Sequence, residues 1–284
     1  MNKTSRTVLI TGCKEGIGFE TALQLASRNW QVLMADKQDL TATRNSIISK
    51  TSNCNITIHN LDLSCFQSIR QFAHDIKTCH THIDVLINNA GLFQGDTGQS
   101  VDCFNVVMQV NHLGPFLLTT LLTDLLKHSS QGRIVFLTSS GAFLHNLHAQ
   151  CLPNLHKSDS WCTKLCTYYN SKLCNMIVTK EFALRLQNSN ITCNCLHPGM
   201  TSSNLLQLKQ YSPLAFQMLK LVTQPPQVSA AMVVFLAASR TVTSVTGQYF
   251  VNYKIARMPK IVEDLTYCKK IWTQAEDCVG QTQQ

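Results

Sequence analysis

Short runs of aliphatic and β-branched residues alternate along the chain with longer stretches whose apolar side chains recur every three or four positions. The short runs are Thr7–Ile10, Gln31–Ala35, Ile56–Ile58, Ile83–Ile87, Arg133–Leu137, Ile191–Leu196 and Gly247–Val251. Helical spacing is expected over Ile17–Ser27, over a polar stretch after Ala35, and over Phe66–Lys77, Val101–Lys127, Cys166–Leu186 and Gln227–Ala238. Strands separated by helices pair in parallel, and a parallel sheet is covered on both faces. Right-handed crossovers wind such a sheet both ways from its centre. The pattern therefore predicts an α/β fold with a doubly wound parallel sheet, a Rossmann fold.

No repeat, linker or low-complexity tract breaks the alternation, so residues 1–284 read as a single domain. Its parts are a core over about 6–253, a lid segment over about 200–226 and a C-terminal helical tail over about 254–284. Two less regular segments follow strand ends, where the ligand crevice of such a sheet lies. One spans 144–167 and carries His145, His148 and His156, which read as solvated loop residues. The other contains the apolar residues of Leu205–Val222, a suitable cover for a lipophilic substrate.

Composition removes several function classes. Of the 284 residues, 44% are hydrophobic and 14% charged, enough apolar material for a large core. The net charge of +8 is spread thinly, with no dense basic run, so nucleic-acid binding is not expected. The 13 cysteines form neither a disulfide framework nor a CxxC pair, so no metal site is expected and the thiols read as reduced. Met1–Arg6 runs straight into the first strand, which argues against a leader, and the apolar stretch Val228–Ala238 is too short to span a bilayer. A cytoplasmic location without an integral membrane segment is the resulting expectation.

Between the first strand and first helix stands Thr11-Gly12-Cys13-Lys14-Glu15-Gly16-Ile17-Gly18. Glycines there let the backbone approach a diphosphate, and the helix start offers free N–H groups and its positive dipole end. Asp36 ends the second strand, where a carboxylate can accept from the ribose hydroxyls of NAD; the competing reading is a helix N-terminal carboxylate. Asp36 should repel a 2′-phosphate, whereas the neighbouring Lys37 would attract one, so NAD is expected and NADP admitted.

Tyr168 and Lys172 are four residues apart on one helix face. An ammonium near a phenol favours the phenolate, which suits Tyr168 to exchange a proton with an alcohol or a forming alkoxide. A surface Tyr–Lys pair would share this spacing. Ser139, closing the fifth strand, stands at the same sheet edge and can orient a substrate oxygen, with Ser140 as its rival.

Taken together, Thr11-Gly12-x-x-x-Gly16-Ile17-Gly18, Asn88-Asn89-Ala90-Gly91, Ser139, Tyr168-x-x-x-Lys172 and Pro198-Gly199 resemble the short-chain dehydrogenases/reductases, in order and over nearly the whole chain. Val110–Phe116, Tyr169–Asn175, His197-Pro198-Gly199 and Gly247–Phe250 are similar to the retinol dehydrogenase-like branch, which includes the WW-domain-containing oxidoreductase. The resemblance implies an NAD(P)-dependent oxidoreductase interconverting an alcohol and a carbonyl on a lipophilic retinoid, steroid or fatty aldehyde. It implies that Asn111 holds a water in a proton relay with Lys172, that Ser139 orients the carbonyl and that Tyr168 is the acid/base. Lys172 would also bind the nicotinamide ribose, Asp62 would approach the adenine, and Asn89 would line the cofactor cleft. Pro198 and Gly199 would border it, and Ser203 would lie near the nicotinamide amide. Relatives in this branch commonly prefer NADP and carry a neutral residue at the position of Asp36, so Asp36 is a departure. A homodimer through the two long helices follows only from the family analogy.

Two other functional classes fit parts of the sequence. One is a catalytically silent dinucleotide-binding sensor or scaffold, against which the intact Asn111, Ser139, Tyr168 and Lys172 set argues. The other is peripheral membrane contact through the basic tail around Lys269, Lys270 and Trp272, which a packed C-terminal helix explains more simply.

Overall fold

The computed structural model describes residues 5–93, 98–147, 161–199 and 223–280, with only the backbone at 161–164. In β1 (Thr7–Thr11) every residue is buried, and the side chains divide between two cores. Leu9 joins Leu33, Leu86 and Ile134 on one face of the sheet, while Val8 and Ile10 join Val32, Met34, Val85 and Val135 on the other. This two-residue period explains why the strands read as unbroken apolar runs.

β1 pairs with β2 (Gln31–Asp36) and β4 (Val85–Asn88), β2 with β3 (Ile56–Asn60), and β4 with β5 (Gly132–Leu137). β6 (Ile191–Leu196) and β7 (Tyr249–Val251) extend the parallel sheet, and β8 (Lys254–Ala256) closes it antiparallel. The order is β3-β2-β1-β4-β5-β6-β7-β8, so the winding reverses between β1 and β4. That reversal opens a crevice at the carboxyl ends of the strands.

Helices α1 (Gly16–Ala26) and α2 (Thr41–Thr51) cover one face. α3 (Phe66–Cys79) covers the other, along with α4 (Val106–Met108), which runs through a π turn (Gln109–Leu113) into α5 (Gly114–Lys127). α6 (Trp161–Arg185) lies beside them, α7 (Pro226–Ala238) packs on α1, and α8 (Leu265–Gly280) packs on α6.

The observed fold is the expected doubly wound sheet, with local departures. The helix expected from Val101 starts at Val106, because the Asn105 side chain accepts from the Val107 and Met108 N–H groups and caps it there. The helix expected from Cys166 starts at Trp161, so Tyr168 sits inside it rather than at its opening. The last predicted strand shortens to three residues, after Gly247 turns the chain at φ +70°. β8 was not foreseen: its hairpin turns on Asn252 and Tyr253, both at positive φ, without the glycine that signals such a turn.

The C-terminal tail forms a packed helix. Trp272 is 5% exposed and stands edge-on to Phe116 and Phe182, with the Arg185 guanidinium 4.0 Å from its ring centre. A membrane contact made through Trp272 is therefore corrected: that side chain belongs to the core. The helical stretch Val106–Lys127 is long and apolar enough to cross a membrane, yet most of it is buried inside the fold.

Candidate active site

The glycine loop closes the carboxyl end of β1. Gly12 has φ +73° and Gly16 φ +63°, conformations that favour glycine. A side-chain carbon on Gly18 would stand 2.0 Å from the Gly12 carbonyl oxygen and 2.6 Å from the Asn89 amide, so α1 approaches the loop at backbone distance. Asn89 staples this arrangement: its Nδ2 donates to the carbonyls of Thr11 and Gly12, both at 2.8 Å. The Thr11 hydroxyl oxygen accepts from the Asn89 and Ala90 N–H groups. Glu15 provides no side-chain cap, leaving the first turn of α1, with Ile17, open towards an anion.

A cleft of ≈ 310 Å³ runs from this loop across the strand ends to Tyr168 and Lys172. At the end of the cleft beside β2, the Asp36 carboxylate accepts from Lys14 N at 3.3 Å and from Gln38 N at 3.1 Å. Lys37 lines the cleft beside it. Asp62 also lines it and is held by the N–H and hydroxyl of Ser64 through one carboxylate oxygen. Pro198 borders the far end, where its carbonyl accepts from Gln224 and Ser229, and Gly199 turns away at φ +83°. Ser203, His148, His156 and Leu205–Val222 lie outside the described residues.

Tyr168, Ser139, Lys172 and Asn111 gather at the end of the cleft away from Asp36. Tyr168 is 8% exposed and hydrogen-bonded to Ser139, whose oxygen also accepts from Gly141 N at 3.1 Å. Ser140 instead stands 3.4 Å from His197 Nε2, which separates the two serines as Ser139 near the phenol and Ser140 away from it. Lys172 Nζ donates to the Leu137 carbonyl at 3.2 Å and sits 5.6 Å from the Tyr168 ring centre. Asn111, in the π turn, receives the Leu92 N–H on Oδ1 at 2.7 Å, and its Nδ2 donates to the Leu92 carbonyl at 2.8 Å. Its Nδ2 also donates to Ser171 Oγ at 3.1 Å. A side-chain carbon on Gly91 would lie 3.2 Å from both Asn111 Oδ1 and Lys172 Nζ, so these two atoms converge on one point.

The electrostatics differ from the expected lowering of the tyrosine by its lysine. Burial pushes the Tyr168 phenol up to about 12, while the Ser139 hydrogen bond opposes this and nearby Tyr169 adds to it. Burial also brings the Lys172 ammonium down from the ordinary 10.5 to about 8. Desolvation dominates at both groups.

Two site residues were not read from the sequence: Phe93 stands edge-on to Tyr168 at 4.8 Å between ring centres, and Ser171 donates to the Tyr168 carbonyl at 2.7 Å. Nothing in the sequence alone joins Ser171 to Asn111, sixty residues away. Among the described residues no cluster of His, Cys, Asp or Glu could hold a metal ion.

A family model described as short chain dehydrogenase matches residues 6–151. The chain is 32% identical to human retinol dehydrogenase 13, over 97% of this chain and 85% of that protein. It is 33% identical to mouse retinol dehydrogenase 11, over 97% of this chain and 86% of that one. Among solved structures, a Mycobacterium paratuberculosis protein superposes with a TM-score of 0.74 at 25% identity, covering 97% of this chain and 93% of that one. A Shigella flexneri short chain dehydrogenase complexed with NADP shares the fold, with a TM-score of 0.66 at 23% identity over 86% of this chain and 95% of that one.

Proposed function

Because the chain belongs to the short-chain dehydrogenase/reductase family and is an NAD(P)-dependent enzyme acting on CH–OH donors, we propose that its substrate is a lipophilic alcohol–carbonyl pair of retinoid type. The observation that carries this reading is the convergence of Ser139, Tyr168 and Lys172 at one end of a cleft that runs from the glycine loop across the strand ends. The retinol dehydrogenases among its relatives support the substrate class.

The residues fit a dinucleotide. A side chain on Gly12 would collide with the Ala90 backbone and one on Gly18 with the Gly12 carbonyl, Gly16 takes φ +63°, and the uncapped start of α1 suits a diphosphate. A bound nicotinamide would supply the hydride acceptor or donor. Ser139 holds the substrate oxygen, and Tyr168 takes the alcohol proton in oxidation or returns it in reduction. Lys172 would hold the nicotinamide ribose, and its ammonium would favour the Tyr168 phenolate.

Asp36 supports NAD over NADP. Two like unit charges about 4 Å apart repel by roughly 4 kcal/mol at an effective dielectric of 20, and a 2′-phosphate brings more than one. Lys14 and Lys37 offset part of this.

A panel of retinoids, steroids and fatty aldehydes, read by nicotinamide absorbance with both cofactors, tests the reading. Turnover of retinoids that Tyr168→Phe abolishes is expected. Full activity in Tyr168→Phe would overturn the assigned acid/base, and nucleotide binding without turnover across the panel would favour a sensor.

A further inference from the structure

The helix α4–α5 contains a π turn in which Asn111 serves the site and His112 does not. A π turn inserts one residue into the helical ladder, is rare, and persists where surrounding groups hold it. Asn175 is such a group. It lies three residues beyond Lys172 on the same face of α6 and is 3% exposed. Its Nδ2 donates to the Asn111 carbonyl at 2.8 Å. Its Oδ1 stands 3.4 Å from Nδ1 of the wholly buried His112. A neutral His112 with its proton on Nδ1 donates to that oxygen, which aims the other end of the amide at Asn111.

We propose that Asn175 is a positioning residue that locks the π turn to the helix carrying Tyr168 and Lys172. With Ser171, it clamps Asn111 from two sides: Ser171 accepts from the side chain, and Asn175 donates to the backbone. Asn111 in turn holds Leu92 through both its N–H and its carbonyl. Leu92 connects Gly91, where Asn111 and Lys172 converge, to Phe93, which packs on Tyr168. One amide thereby sets the position of the cleft wall against the acid/base. Loss of that amide lets the turn rewind towards ordinary α geometry, which swings Asn111 off Leu92 and loosens the wall. The proposal rests on the alcohol–carbonyl reaction but not on the substrate class.

Asn175→Leu removes both contacts while keeping the same branched heavy-atom skeleton, and Asn175→Ser removes them with a small side chain should leucine not be accommodated. Each is assayed with whichever panel substrate the wild type turns over fastest. The expected result is a fall of about tenfold or more in kcat, with the NADH dissociation constant within about twofold of wild type. Hydrogen exchange at the Leu92 amide, which needs no turnover, should accelerate by about tenfold or more while β1 and β5 amides keep their protection. An unchanged Leu92 exchange rate with kcat within about twofold of wild type would overturn the proposal. Slow exchange restored only by refolding conditions that also restore β1 protection would show a general stability role and would overturn it too.

Discussion

Lys172 Nζ donates to the Leu137 carbonyl at 3.2 Å, tying the helix that carries Tyr168 to the end of the central strand β5. The bond does not offset the cost of burying an ammonium, since burial lowers Lys172 from 10.5 to about 8. The unfolded chain therefore binds a proton more readily than the folded one. This destabilisation is fully present below pH 8, fades between 8 and 10.5, and is gone above. Lys172→Met should therefore raise stability at pH 7, by on the order of 1–3 kcal/mol after losing the bond to Leu137, while nearly abolishing turnover. Urea unfolding of both proteins at pH 7 and pH 10.5 tests this. A mutant no more stable than wild type at pH 7 would refute the assigned cost.

Gly18 is constrained by backbone rather than by adaptable side chains. A methyl group there would stand 2.0 Å from the Gly12 carbonyl, and neither helix nor loop can yield without opening the phosphate cradle. Gly18→Ala should weaken nucleotide binding by about a hundredfold or more and lower the thermal midpoint by several degrees. Titration of NADH fluorescence and a melting curve give both values; binding within about threefold of wild type would contradict the crowding.

Much of this was legible in the sequence, for a physical reason. Strands such as β1 and β5 are buried on both faces and so stay apolar throughout, and the glycine loop announces itself because only glycine fits at Gly12 and Gly18. The arrangement Ser139–Tyr168–Lys172 was also legible, since helical spacing and a strand end bring the three together. The π turn was not, because its sequence Gln109–Leu113 has ordinary helical composition and is held by Asn175 from another helix. The acidity of Tyr168 was misjudged for a related reason: spacing places Lys172 near the ring, but only the fold reveals how completely both are desolvated. The β7–β8 hairpin was missed because Asn252 and Tyr253 adopt left-handed backbone that glycine usually supplies.

His112 gives the fold an acid-sensitive point. It is wholly buried, and burial holds it at about 4 instead of the ordinary 6.5, against a smaller opposing contribution from Asn175. The stability from keeping it neutral is fully present above pH 6.5 and is lost as the pH falls towards 4, by about 3 kcal/mol. Replacing His112 by Leu removes this titration. The unfolding free energy of wild type minus that of His112→Leu should fall by about 3 kcal/mol as pH drops from 7 to 4. A difference that stays constant with pH would show that His112 is not held neutral.

Asp36 offers the sharpest test of cofactor choice, because its carboxylate is fixed from two sides. Lys14 N and Gln38 N each donate to one of its oxygens, so it cannot swing aside to admit a 2′-phosphate without giving up both bonds. Lys37 lines the same part of the cleft. Removing the carboxylate while keeping the amide geometry, as Asp36→Asn does, should leave the lysine to attract the phosphate. NADPH should then gain on NADH by about tenfold or more in kcat/KM, which corresponds to roughly 1.4 kcal/mol or more and is well within the roughly 4 kcal/mol of the repulsion. Lys37→Ala in the same background should reverse most of that gain. Steady-state kinetics of the three proteins with both cofactors decides it: equal preference in wild type and Asp36→Asn would mean that the carboxylate does not select the ribose.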